Sequence, residues 1–185
     1  MHKMIQTGRK LLLVVSVAGT FVACGPKPDS KHSPARDAAT TTPSIAVTNR
    51  SPLPRPFDEK ADARKDIAAA LAKAKADRKH VLLDFGANWC PDCLVLAKLL
   101  EDKSVKPFLE ANFHLVKVNI GSRDMNLDIA QEYGNPIEKG IPAVVVLEPQ
   151  GRILTTTKGG ELANARTATP EEILAHLKQW APRRP

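Results

Sequence analysis

The stretch "GANWCPDCLVL", residues 86–96, places Cys90 and Cys93 either side of Pro91 and Asp92. Two thiols at this spacing fit three chemistries: a structural staple, half of a metal site, or a dithiol that cycles with its disulfide. A staple closing so short a loop removes little entropy from the unfolded chain. A tetrahedral Zn(II) or Cu(I) site needs more ligands, and the candidates are His80, His114 and His176, none at motif spacing to the pair. A redox dithiol needs an attacking thiolate, which a helix N-terminus favours through free backbone N–H groups and the positive end of its dipole. "CLVLAKLLED" contains no helix breaker and Pro91 is tolerated in a first turn, so the helix runs from Cys93 to about Asp102. Cys90 then stands exposed at its positive end after Trp89, and Cys93 faces inward. Asp84, on the otherwise apolar run "HVLLDF", is the candidate proton carrier, because burial of a carboxylate raises its pKa.

The compartment bears on this choice, because exported proteins meet an oxidising environment. Met1 to Lys10 carry Lys3, Arg9 and Lys10 with no acid, and "LLLVVSVAGTFVA" follows from Leu11 to Ala23. A basic stretch before an apolar run too short to span a bilayer reads as a secretory signal, residues 1–23. The junction "FVAC" resembles the lipobox at which bacterial lipoproteins are cleaved and acylated on the new N-terminal cysteine, here Cys24, although Phe21 departs from the usual leucine. Gly25 is not the aspartate that holds such lipoproteins at the inner membrane, so the resemblance implies the periplasmic face of the outer membrane. The chain has three cysteines. With Cys24 acylated, Cys90 and Cys93 are the only thiols left.

Residues 25–56 hold seven of the fifteen prolines among Ser, Thr, Lys and Asp. Such a segment buries too little apolar surface to offset its ordering entropy and reads as a disordered tether. Its full reach is about 100 Å at roughly 3.1 Å per residue. Residues 57–185 suit one compact domain. The formal charge is +7, yet residues 61–185 carry eighteen basic and sixteen acidic side chains. The domain is nearly neutral, and nothing in it points to nucleic acid.

The elements that must position the dithiol follow from periodicity. "DEKADARKDIAAALAKAKADRK" sets Ile67, Ala70, Leu71 and Ala74 on one face and predicts an amphipathic helix with Asp58 as its N-cap. "HVLLDF" (80–85) and "FHLVKVNI" (113–120) read as strands, "SVKPFLEAN" as a helical turn, and "NLDIAQEYG" as a helix stopped by Gly134. "AVVVLEPQGRILTTT" has two β-branched runs around Glu148 to Gly151, hence a hairpin. "TPEEILAHLKQW" opens a last helix with Thr169 as cap and Pro170 at its first position. Trp180 and Tyr133 read as packing residues. The order predicts an α/β domain with a central mixed sheet flanked by helices.

"VLLDFGANWCPDC", "VKVNI", "YG" and "GIPAVVVL" come in the order and near the spacing of motifs of the thioredoxin family, over roughly residues 80–160. The chain resembles that family, and the Ala/Lys-rich helix before "KHVLLDF" is similar to its periplasmic branch with an extra N-terminal helix. The resemblance implies a thioredoxin-like fold and a thiol–disulfide oxidoreductase with no cofactor. Cys90 is then the nucleophile and Cys93 the thiol that resolves a mixed disulfide, the two forming the redox-active pair. Asp84 accepts the Cys93 proton, and Lys117 is the lysine beside that acid. Pro142 matches the cis-proline next to the cysteines, freeing the N–H and C=O of Ile141 for an extended substrate peptide. Trp89 is either a packing residue or a lid over the thiols. Three departures bear on substrate specificity: Gly86 where thioredoxins often have tryptophan, a longer "GNPIEKG" before the proline, and the extension "ELANARTATP" before the last helix.

Asp92 opposes a second negative charge on Cys90, and a less stabilised thiolate makes the disulfide a weaker oxidant. The expectation is therefore a periplasmic, lipid-anchored monomer that reduces disulfides in protein substrates, with electrons from a membrane thiol transporter. The alternatives are an oxidase or isomerase using the same couple, or a Cu(I)- or Zn(II)-binding module.

Overall fold

In the computed structural model, residues 55–183 are described. The predicted signal, Cys24 and nearly all of the tether lie outside them.

The first helix, α1 (Ala63–Asp77), starts later than its pattern suggests, and its N-cap is Asp62, whose side chain accepts the Lys65 N–H at 3.1 Å. Asp58 instead closes a local turn by accepting the N–H of Lys60. The cause lies one residue earlier: Phe57 is 1% exposed, so the chain must leave the core and turn before a helix can begin. Asn88 holds Phe57 there, accepting its N–H at 3.1 Å and donating to its carbonyl at 2.7 Å. Ile67, Ala70 and Ala74 are buried as the pattern requires, while Leu71 is only half-buried.

Strand β1 (His80–Gly86) is buried along its whole length as an inner strand of a four-stranded sheet. It pairs in parallel with β2 (Phe113–Asn119) and antiparallel with β3 (Ala143–Leu147), and β3 pairs antiparallel with β4 (Ile153–Thr156). The expected mixed sheet and hairpin are therefore present. Between β1 and β2 lie α2 (Pro91–Leu100) and the short α3 (Lys106–Asn112). α4 (Leu127–Glu132) and α5 (Pro170–Trp180) complete the helices, and a 3-10 turn spans Ala165–Thr167. α5 begins as its sequence dictates: Thr169 and Glu172 form a reciprocal capping box around Pro170.

Alternation along β1 divides the core in two. Val81, Leu83 and Phe85 pack with Ile67, Ala70 and Ala74 of α1 and with Ile129 of α4. Leu82, with Val144 and Val146 of β3, packs against Leu96 and Leu100 of α2 and Ile173, Leu177 and Trp180 of α5. β1 thus carries Asp84 into the middle of the sheet and delivers the chain to the start of α2.

Candidate active site

Cys90 is the N-cap of α2, and its sulfur accepts the N–H of Cys93 at 3.2 Å. The helix begins two residues before the expected Cys93, because Pro91 at the first position already has a helical φ and lacks the N–H that would go unpaired there. Cys90 and Cys93 are joined as a disulfide with Cα atoms 5.2 Å apart. Cys93 is fully buried, as expected. Cys90 is only 3% exposed, which corrects the expectation of an exposed nucleophile. Its sulfur folds back over the first turn of α2 and lies 3.6 Å from the carbonyl oxygen of Ile141.

That carbonyl belongs to the cis Ile141–Pro142 peptide. Two segments separated by 51 residues thus meet at the disulfide. Trp89 is 53% exposed. Its indole N–H donates to the Gly121 carbonyl at 2.6 Å and the Arg123 guanidinium lies 6.0 Å from the ring centre, so Trp89 is pinned towards the loop after β2. It belongs to neither hydrophobic core cluster. With Asn88, Asn119, Ser122, Met125 and Arg55 it borders a cleft of about 430 Å³.

Asp84 has no exposed surface and is paired in register with Lys117 of β2 and Val144 of β3. Lys117 Nζ donates to its Oδ2 at 3.2 Å, whereas Oδ1 has no protein partner among the described residues. Burial pushes the Asp84 pKa above the ordinary carboxylate value, and Lys117 only partly opposes the rise. The result is a carboxyl that holds a proton more readily than a solvated one.

Phe57 completes this end of the sheet. A side chain at Gly86 would run into the Phe57 ring, so Gly86 leaves the space that this ring fills. Lys117 Nζ lies 5.2 Å from the ring centre. The strand's missing side chain is thus supplied from upstream of α1. The sequence held a trace of this arrangement, a glycine in an apolar strand and an isolated phenylalanine, but nothing local linked the two.

Asp92 departs from its expected role. It is 5% exposed, and its carboxylate is not an unpaired charge beside Cys90. The Arg166 backbone N–H and Nε both donate to Oδ1 at 3.0 Å, and Nη2 donates to Oδ2 at 2.7 Å. Arg166 lies in the 3-10 turn, within the "ELANARTATP" extension, and this pairing holds the Asp92 pKa below its ordinary value. Sequence reasoning missed Arg166 because its partner is 74 residues away.

The three histidines have other partners. His80 bonds the Trp180 carbonyl, His114 pairs with Asp77, and His176 stacks on Trp180. Among the described residues no group of three or more His, Cys, Asp or Glu side chains is arranged to hold a metal ion.

A Cys-x-x-Cys pair at a helix start, faced by a cis-proline loop on a mixed four-stranded sheet, defines a thioredoxin-fold thiol–disulfide oxidoreductase. Comparison with known proteins gives the same class. The thioredoxin-like family model matches residues 62–149. A thioredoxin of Buchnera aphidicola subsp. Baizongia pistaciae is 35% identical over 89 residues, 48% of this chain and 72% of that protein. A second Buchnera thioredoxin, from subsp. Schizaphis graminum, is 31% identical over 46% of this chain and 70% of its own length. The crystal structure of a disulphide isomerase from Xylella fastidiosa Temecula1 is 45% identical and superposes with a TM-score of 0.67, covering 69% of this chain and 97% of that one. The chain belongs to the thioredoxin family.

Proposed function

We propose that this oxidoreductase works from its reduced form on disulfides of exported proteins, held to the periplasmic face of a membrane, preferably the outer one, by a lipid on Cys24. In the proposed cycle the Cys90 thiolate attacks one sulfur of a substrate disulfide, forming a mixed disulfide and releasing the other substrate sulfur as a thiolate. Asp84 takes the Cys93 proton, with Lys117 beside it. The Cys93 thiolate then attacks the Cys90 sulfur and expels the second substrate sulfur. Two electrons pass to the substrate, and the Cys90–Cys93 disulfide is regenerated by a dithiol donor, for which a membrane thiol transporter is the candidate. Ile141 and Pro142 present backbone to an extended substrate segment, and Trp89 forms the wall beside it.

The reducing direction is carried by one observation: the Cys90 sulfur accepts a single hydrogen bond, from the Cys93 N–H, and no basic side chain bonds either sulfur among the described residues. On reduction the Cys90 thiolate then has the helix N-terminus but no basic side chain to stabilise it, which makes the disulfide a weaker oxidant than one with a basic residue beside it. The Asp92 charge no longer supports this direction, because Arg166 opposes it. The isomerase reading also starts from the reduced dithiol, and the name of the Xylella structure favours it. The two differ in whether Cys93 resolves the mixed disulfide or the substrate's own thiol does.

Replacing Cys93 with Ser in the native cell should trap exported proteins on Cys90 as mixed disulfides, and a reduction potential near that of thioredoxin, about −270 mV, is expected. No trapped partners, or a potential above about −150 mV, would overturn the reading.

A further inference from the structure

We infer that Arg166 is a positioning residue for the Cys90–Cys93 couple: it closes on Asp92, cancels the acidic charge within the active-site turn, and so sets how much Cys90 is thiolate. Asp92 is the second residue of α2 and Cys90 is its N-cap, so the two anionic groups compete for the same free N–H groups and the same positive helix end. Asp92 is also buried, and water screens its field poorly. Left alone, it would raise the Cys90 pKa and make the reduced state harder to reach.

The arrangement around Asp92 is built for neutralisation. Arg166 uses a backbone N–H and two guanidinium nitrogens, covering both carboxylate oxygens. Such forked, charge-assisted pairing fixes geometry as well as charge. The turn that carries Arg166 is itself anchored, since Leu162 and Ala165 are buried in the core cluster that contains Leu96 and Leu100 of α2. Two of the three bonds need the arginine side chain, which is 64% exposed.

The pair acts on one redox state more than the other. The disulfide is neutral and nearly indifferent to a nearby carboxylate, whereas the thiolate is repelled by it. Arg166 therefore favours the reduced form, and its removal makes the couple more strongly reducing while lowering the fraction of Cys90 available as thiolate at a given pH. The inference rests on Cys90 being the reacting thiol, but not on the direction of electron flow.

The test is a double-mutant cycle in the full chain, with Arg166→Gln, Asp92→Asn and the two combined. Two quantities are read on the reduced protein: the pH profile of Cys90 alkylation by iodoacetamide, followed on the Cys90 peptide by mass spectrometry, and the equilibrium with a glutathione buffer. Arg166→Gln should raise the Cys90 pKa by about one unit, a tenfold loss of thiolate below that pKa, and shift the glutathione equilibrium towards the disulfide. Asp92→Asn should move both readings the opposite way, and the combined variant should return to within about threefold of the parent. An Arg166→Gln protein with parental readings would overturn the inference. So would a combined variant as far from the parent as Arg166→Gln alone, which would mean that Arg166 acts by holding the turn in place rather than through the charge of Asp92. The cycle compares variants with one another, so a parent potential in the oxidant range would refute the reductase reading and leave this inference intact.

Discussion

Truncating Phe57 to Ala tests whether a side chain from upstream of α1 is part of the core. Phe57 is 1% exposed, and its ring fills the space that Gly86 leaves open. Removing a buried phenylalanine costs about 3–5 kcal/mol. Phe57 lies outside any helix or strand, so its surroundings relax more readily than those of a strand residue and the lower end, about 3 kcal/mol, is expected. Loss of the Lys117 contact, 5.2 Å from the ring centre, adds about 0.5–1 kcal/mol. Gly86→Ala approaches the same contact from the other side. Gly86 lies in a regular strand, so the added methyl has no backbone penalty and its cost is the clash with the ring, about 1–3 kcal/mol. In the Phe57→Ala background that clash has no partner. The double variant should therefore be more stable than the sum of the singles by about 1–3 kcal/mol. Urea unfolding of the oxidised protein reads all four species, with the Phe57→Ala midpoint falling by about 1–3 M at unchanged slope. A Phe57→Ala loss below about 1 kcal/mol, or strict additivity of the pair, would show that the ring does not occupy the space above Gly86.

Asp84→Asn should stabilise the fold at pH 7: the folded pKa of Asp84 lies above the unfolded one, so the unfolded chain sheds this proton first, and stability falls as pH rises through the window between the two values. The gain should vanish below about pH 3, where both states are protonated, and urea midpoints that fall at pH 7 would count against a buried, destabilising carboxylate. Asp92 has the opposite sign, since its depressed pKa gives stability that is present above the ordinary carboxylate value and lost as pH falls through the folded value; Arg166→Gln should flatten that acid limb in a Tm series from pH 6 to pH 2. Asn88→Ala removes two hydrogen bonds to the Phe57 backbone and should cost about 1–3 kcal/mol, measured by the same urea titration, with protease cleavage near Phe57 rising in parallel.

Most of the framework was legible because its signals are local. A short apolar run gave β1, alternation gave β2 and two β-branched runs gave the β3–β4 hairpin, while Thr169 and Pro170 marked the start of α5 to the residue. The cysteines are three positions apart, so one helix start brings them together whatever surrounds it. Asp84 was legible for a related reason, since a lone acid in an apolar strand is buried wherever that strand is central. The N-cap of α1 was misplaced because Asp58 and Asp62 are equally good caps by type, and only the burial of Phe57 chooses between them.

The residues themselves determined the dithiol, the strand acid and the proline that can face them, since each depends on chemistry carried within a few positions of chain. Tertiary structure alone decided the surroundings of that chemistry. It set Phe57 over Gly86, drew the Cys90 sulfur under cover beside Ile141, and brought Arg166 to Asp92 across 74 residues. Helix periods and caps are read along the chain, whereas an ion pair between distant segments exists only once the packing of an intervening turn has fixed where both side chains lie.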